Sequence, residues 1–161
     1  PEGVEIGKLL GEMGVSGEGV CVEPDRMTTK KTRVVAGHQQ VVRFDCETRE
    51  SVRPQTTQRV VSFLKKRWDD FDAIIVSDYG KGLIHELLLN ELQKMNDRIP
   101  KLISIDPKER NMNFYRRFSL ITPNKKEASQ AAGQEIRTER DLKEDGRKII
   151  RPLRSERLEI T

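Results

Sequence analysis

Apolar and polar residues follow two different rhythms along this chain. Before Arg49 the spacing is mixed. Val4, Ile6, Leu9, Leu10 and Met13 recur at helical intervals, which predicts a helix over Glu2–Met13 that stops at Gly14. Gly19–Glu23 reads as a short strand. Thr28–Asp45 reads as two strands, Thr32–Ala36 and Gln39–Asp45, joined at Gly37-His38. Their alternation is imperfect, because Arg33, Gln40 and Arg43 are lodged among valines. Arg49–Gln58 is a polar linker.

After the linker the rhythm becomes regular. A helix over Thr56–Arg67, with Val60, Val61, Phe63 and Leu64, precedes the strand Ala73–Val76. A helix over Ile84–Met95 precedes Leu102–Ile105. An irregular piece through Tyr115 leads to Ser119–Ile121, and helices over Lys125–Ala132 and Glu139–Ile150 precede Leu158–Ile160. Short apolar runs alternating with amphipathic helices predict a buried parallel sheet covered by helices. The expected fold class is α/β, a parallel-rich sheet with a small β insertion near the N-terminal end. No internal repeat or low-complexity segment interrupts it.

Composition narrows the functional classes. With 161 residues the chain suits one domain with a real core, and 35% charged against 35% hydrophobic residues suit a wet-surfaced protein or part of a larger one. No apolar run approaches the roughly 20 residues of a membrane span, and no secretory leader pattern opens the chain. Cys21 and Cys46 stand in unrelated contexts and make neither a disulfide framework nor a metal set. A cytoplasmic setting without membrane contact is expected. The net charge of +4 and pI near 9.2 invite a nucleic-acid reading, but the basic residues are interleaved with acids instead of forming a basic arm. A mildly basic enzyme for phosphorylated substrates, with no nucleic-acid partner, fits better.

The most informative segment is Leu120-Ile121-Thr122-Pro123-Asn124-Lys125-Lys126-Glu127-Ala128. A short strand meets a Thr-Pro stop, and Asn124 and Glu127 then share a face of the first helical turn. An amide and a carboxylate beside a helix start suit a Mg²⁺–phosphate cluster, the carboxylate acting through the metal's waters. The same spacing is also that of a capping box. In sheets of this kind ligands bind beyond the carboxyl ends of the strands. Two more strand ends carry polar residues there: Asp78 and Lys81 between glycines, and Asp106 with Lys108. Each alone could be an ordinary turn; together they outline a rim for anions and Mg²⁺. Gly80-Lys81-Gly82 is not a Walker A loop, and no dinucleotide glycine motif follows a strand. His38 reads as a turn residue, His85 as solvated, and the cysteines as half-buried thiols.

At this point several segments match one family. Met27–Val34 with Gly37-His38-Gln39-Gln40-Val41-Val42-Arg43-Phe44-Asp45, Val76–Gly82, Ile105-Asp106-Pro107-Lys108 and Leu120–Glu127 occur in the family's order, followed by a weaker match at Leu153–Leu158. The chain resembles the PfkB (ribokinase-like) sugar kinases, and within them the D-glycero-β-D-manno-heptose-7-phosphate kinases of lipopolysaccharide precursor synthesis. The resemblance implies ATP and Mg²⁺ as cofactors and a sugar phosphate as substrate, phosphorylated on its anomeric hydroxyl. Residues 1–161 would form a partial ribokinase-like domain, with 28–45 as the lid hairpin over the sugar. Arg33, Gln40 and Arg43 would face the substrate, with Asp78 and Lys81 beside it. Asn124 and Glu127 would order the transferring phosphate and a water-mediated Mg²⁺. Lys108, by its strand-end position, would lie near the phosphates. Related kinases dimerise through the lid strands, so a homodimer is implied.

The family's glycine-rich sugar-binding segment before the lid and its Gly-Ala-Gly-Asp motif, whose Asp is the general base, do not occur in this sequence. No catalytic residue is therefore assigned, and the chain is expected to be incomplete for catalysis, with strand edges left open or covered by a second copy. Two other readings stay open: a non-catalytic module acting through dimer or partner contacts, and a kinase for another sugar.

Overall fold

A computed structural model describes residues 2–161. The chain opens with helix α1 (Glu2–Glu12) and, after a long coil, the antiparallel hairpin β1 (Lys30–Ala36) and β2 (Gln39–Cys46). Next come α2 (Pro54–Arg67), β3 (Ala73–Ser77), α3 (Glu86–Arg98), β4 (Leu102–Asp106), β5 (Leu120–Ile121), α4 (Lys125–Ala132), α5 (Glu139–Leu153) and β6 (Arg157–Leu158). Strands β3-β4-β5-β6 form one parallel sheet in that order. This is the α/β arrangement with a β hairpin that the apolar rhythm predicts.

Local chemistry sets most boundaries. Pro54 occupies the first turn of α2, where its missing N–H costs nothing, so this helix starts two residues before the predicted Thr56. α4 and α5 each begin in a reciprocal capping box. Asn124 Oδ1 accepts from Glu127 N at 2.9 Å and Glu127 Oε2 accepts from Asn124 N at 3.0 Å. Thr138 and Asp141 repeat the device at 3.1 and 2.9 Å. The predicted strand at Gly19–Glu23 does not form. Val20 N closes a turn on Gly17 O instead, and Glu23 turns its carboxylate to Arg53 N and the Thr56 hydroxyl at the start of α2.

Ile74, Val76, Ile103, Ile105, Ile121 and Leu158 point into a core shared with Leu89, Leu92 and Met95 of α3, Ala128 of α4, and Ile149 and Leu153 of α5. Trp68 closes the bottom, its indole N–H donating to Ile99 O at 2.9 Å. The alternate residues of β3 and β4 meet no such cover: Ile75 is 78% and Leu102 60% exposed. The sheet is thus packed on one face, whereas near-continuous apolar strands predict cover on both. No helix among the described residues is long and apolar enough to cross a membrane.

α5 ends in the left-handed region at Arg154 (φ 52°), whose N–H donates to Ile150 O and Arg151 O. A Cβ is unfavourable there, and α4 places a glycine at the same position, Gly133 (φ 72°). Arg154→Gly should therefore raise stability by about 0.5–1 kcal/mol, while Gly133→Ala, which meets open space and only backbone strain, should lower it by about 1 kcal/mol. Urea unfolding measures both; a loss of stability in Arg154→Gly would show that the arginine side chain contributes more than its backbone costs.

Candidate functional site

The polar strand ends meet on one side of the sheet, and Asp78 lies beneath them. Just past β3 its carboxylate is 1% exposed. Oδ1 accepts from Gly80 N at 2.6 Å, and Oδ2 accepts from Asn111 Nδ2 and the Tyr115 hydroxyl, both at 2.6 Å. Tyr115 Oη in turn accepts from Lys108 N at 3.1 Å, and Asn111 also donates to Ile84 O at 2.8 Å. One carboxylate thus ties the ends of β3 and β4 to the 3-10 turn Glu109–Phe114. Burial and the hydrogen bond to Asp78 push the Tyr115 phenol far above its ordinary pKa, so it stays a donor. The sequence places Asp78 on the ligand rim; the structure turns it inward to shape the loop. Asn111 and Tyr115 escaped sequence reading because they sit in a segment without periodicity.

Lys108 and Glu127 form the rest of the rim, with the lysine partly exposed and the carboxylate buried beneath it. Lys108 Nζ donates to Glu127 Oε1, while Glu127 Oε2 holds Asn124 N at 3.0 Å. Glu127 is 6% exposed and the lysine is half exposed. The hydrogen bond from Lys108 to Glu127 raises the lysine's pKa, so it stands as an ammonium at the mouth. The capping box and the rim reading are therefore compatible: Asn124 fixes one carboxylate oxygen's neighbour, and the other oxygen faces a cation. Asp106 lies beside them at the end of β4, accepting from the Ser77 hydroxyl at 3.2 Å. Among the described residues no group of three or more His, Cys, Asp or Glu could hold a metal ion directly. A lone carboxylate with a second acid nearby suits Mg²⁺ that keeps its waters and binds mainly through phosphate oxygens.

The hairpin is clamped at its base to the loop that follows β3. Lys81 pairs with Glu47 just past β2, and Arg26 donates to Lys81 O, Glu50 O (2.9 Å) and Thr48 O (3.3 Å). Lys31 lies 5.8 Å from the Tyr79 ring centroid, a cation–π contact between β1 and the β3 loop. Gly82 (φ 83°) makes the closest approach, since a Cβ there would enter the backbone of Glu50 and Ser51. Lys81 is thus engaged at the hinge between hairpin and sheet. The signals for this clamp, Arg26 and Glu47, carry no pattern in sequence.

On the hairpin, Lys31, Arg33 and Val35 share a face and pair with Asp45, Arg43 and Gln40 respectively. Simple alternation along β2 would put Gln40 on the opposite face from Arg43. A bulge where the register shifts at Val34/Val35 removes that conflict and brings Gln40 round to the arginines. Arg33 and Arg43 are direct cross-strand partners, an arrangement of like charges that disfavours itself. Asp45 takes Arg43 through two bonds of 2.9 and 2.6 Å, which lowers the carboxyl's pKa and raises the guanidinium's. Arg33 has no acidic partner among the described residues. The face keeps an excess of positive charge and forked donors, which suits a phosphate.

Comparison with known proteins fits this geometry. No family model matches the chain. The bifunctional protein HldE of Desulfatibacillum aliphaticivorans is 38% identical over 155 residues, which span 96% of this chain and 32% of the relative. The protein of the same name from Wolinella succinogenes is 37% identical over 141 residues, 88% of this chain and 30% of its own. The chain thus spans about a third of the curated relatives it matches. Among solved structures, the tetrameric inhibited form of phosphofructokinase-2 from Escherichia coli superposes with a TM-score of 0.72 at 16% identity, over 97% of this chain and 51% of that one. The same enzyme in complex with potassium gives 0.73 at 18% identity.

The chain has the fold of the PfkB-like carbohydrate kinases. Lys108, Asn124 and Glu127 follow the ends of β4 and β5, and the hairpin base is attached to the loop after β3.

Behind the loop a cleft of about 710 Å³ opens between the starts of α2 and α3, lined by Thr57, Gly82, Ile84, His85, Asn111 and Phe114. His85, expected in solvent, is half-buried here, with Nε2 3.0 Å from Thr57 Oγ1, and burial pushes its pKa below the ordinary 6.5.

Two outcomes test these contacts. Tyr115→Phe strips a donor from the buried Asp78 and orphans Lys108 N, so it should cost about 1–3 kcal/mol in urea unfolding. A loss near zero would mean that water replaces the hydroxyl. His85 binds its proton less readily in the folded chain than in the unfolded one. Its contribution is complete above about pH 6.5 and falls as pH drops through that value toward the depressed pKa. The Tm should decline as the pH falls below about 6.5, and His85→Gln should flatten that decline.

Proposed function

We propose that this chain forms the lid and part of the phosphate rim of an ATP-dependent kinase that phosphorylates the anomeric hydroxyl of D-glycero-β-D-manno-heptose 7-phosphate. The observation that carries the reading is the hairpin face on which the bulge gathers Gln40 with the opposed Arg33 and Arg43. A sugar phosphate supplies what that face lacks: an anion to relieve the arginine pair and hydroxyls for the amide. The similarity to HldE proteins over nearly the whole chain supports this substrate class.

Within the site, Lys108 offers a charged donor to phosphate oxygens, and the α4 start adds backbone N–H groups aligned with its dipole. Glu127 would orient the waters of Mg²⁺, which when bound with ATP neutralises the phosphate charge during transfer. Asp78, Asn111 and Tyr115 position the β3 loop without touching substrate. Binding and orientation are the part of phosphoryl transfer that these residues serve; the general base belongs to segments this sequence does not contain. The other hairpin face presents Val34, Val42 and Phe44, all exposed, to solvent, and this apolar strip supports pairing of two lids in a homodimer.

The test is a chimera in which this chain replaces the matched 155 residues of the D. aliphaticivorans relative, assayed for ADP release with heptose 7-phosphate and Mg·ATP. Turnover is expected. Arg43→Ala in that chimera should raise KM for the sugar phosphate by about tenfold and leave KM for ATP within about twofold, as loss of one charge-assisted contact predicts. Equal losses for both substrates would remove the lid from sugar recognition. Better turnover with fructose 6-phosphate would transfer the assignment to another sugar.

A further inference from the structure

Charge is sorted along α5. Its acids all fall between Glu139 and Asp145, and each is already engaged. Glu139 pairs with Lys143, Glu144 with Arg140 and the buried Asp145 with Lys148, all at 2.8 Å, and Asp141 belongs to the helix cap. From Gly146 to Arg154 every charged residue is basic. Arg147, Arg151 and Arg154 have no acidic partner among the described residues. With Lys148, Ile150 and Ser155 they line an open hollow of about 610 Å³ that no acidic side chain enters.

The usual reason for arginine at a helix end is the dipole, whose influence fades within the last turn. It accounts for Arg151. It does not account for Arg147, which lies more than a turn before the end, or for Arg154, which lies beyond it in the left-handed region. Backbone strain kept at an unpaired charge points to a use for the side chain. The corner is also fixed. Arg117, a second left-handed arginine (φ 57°), donates its N–H to Leu153 O at 2.8 Å while Asp97 holds its guanidinium. Ser155 Oγ accepts from Phe118 N at 3.3 Å. The hollow precedes β6, so it lies at the opposite end of the sheet from Lys108 and Glu127.

We propose that this hollow is a second anion site, separate from the rim, for a small molecule carrying two or more phosphate groups. The proposal goes beyond the sugar kinase reading and does not depend on it. Arg147 and Arg151 stand one turn apart on the same face, and Arg154 extends the row to about 10 Å. Forked guanidinium donors match phosphate oxygens, and each phosphate brings up to two charges and three acceptors. One monoanion would leave most of the row uncompensated; linked phosphates answer the whole of it. The volume is that of a small-molecule site.

The experiment titrates inorganic tripolyphosphate into the 161-residue chain at low salt, followed by calorimetry. Saturable binding is expected. Arg147→Gln with Arg151→Gln should weaken it by about a hundredfold, and Arg154→Gly by about tenfold, while urea unfolding shows the glycine variant at least as stable as the parent. Arg140→Gln with Lys143→Gln removes the same charge outside the hollow and should change affinity by less than about threefold, as should Lys108→Gln at the rim. Absence of binding would overturn the proposal. Equal losses in the two double variants would replace it with diffuse attraction, and loss in Lys108→Gln alone would move the ligand to the rim. Citrate binding as tightly as tripolyphosphate, or a single-stranded oligonucleotide binding more tightly, would overturn the assigned ligand class.

Discussion

A buried carboxylate must find donors, and Asp78 finds three: Gly80 N in its own turn, and Asn111 and Tyr115 from the segment after β4. That requirement organises the strand ends. To supply the donors, the 3-10 turn after β4 folds back so that Asn111 and Tyr115 reach β3. Tyr115 at the same time accepts the N–H of Lys108, which sets the lysine backbone at the rim. Lys108 can then meet Glu127, whose other oxygen is fixed by the α4 cap. Removing the charge from water is costly unless it is fully hydrogen-bonded, so the arrangement has few alternatives. A charged residue here serves to shape the site rather than to act in it.

The hairpin follows a different logic. Its two faces are chemically opposite, one holding Lys31, Arg33, Arg43, Asp45 and Gln40, the other Thr32, Val34, Val42 and Phe44. Unlike the sheet core, neither face is buried, so folding alone does not account for the pattern. Opposed arginines weaken the hairpin that bears them, and the bulge adds an irregularity that relocates Gln40. Local cost concentrated on one face points to a ligand on that face. The clamp of Arg26, Lys81 and Glu47 keeps the hairpin attached to the β3 loop, so the two halves of the site share one hinge.

Packing is lopsided for the same chain. Helices α3, α4 and α5 cover one face of the parallel sheet densely, while Ile75 and Leu102 on the other remain in water. The strands were composed for cover on both sides, as their unbroken apolar runs show.

How much of this was legible in sequence depended on the range of the interaction. Periodicity, the Asn124–Glu127 capping pattern and the glycines are local signals, and the helices and sheet strands they announce all form, with α2 beginning slightly early at Pro54. Lys108, Asn124 and Glu127 were found as candidates because they follow strands directly, and the fold does bring them together. Gly19–Glu23 misled because its backbone closes a turn at Val20 and its Glu23 carboxylate is taken up by the start of α2. Asp78 was visible as a strand-end acid, but its burial depended on residues 33 and 37 positions away, which no pattern connects to it. The hairpin bulge was likewise invisible, since register belongs to a pair of strands and not to either one. By itself the sequence determined the α/β order, the caps and the residue types at the rim, because each depends on neighbours a few residues apart. Tertiary structure alone decided which acid turns inward, which hairpin side chains share a face and which side of the sheet stays bare, because those depend on contacts between distant segments.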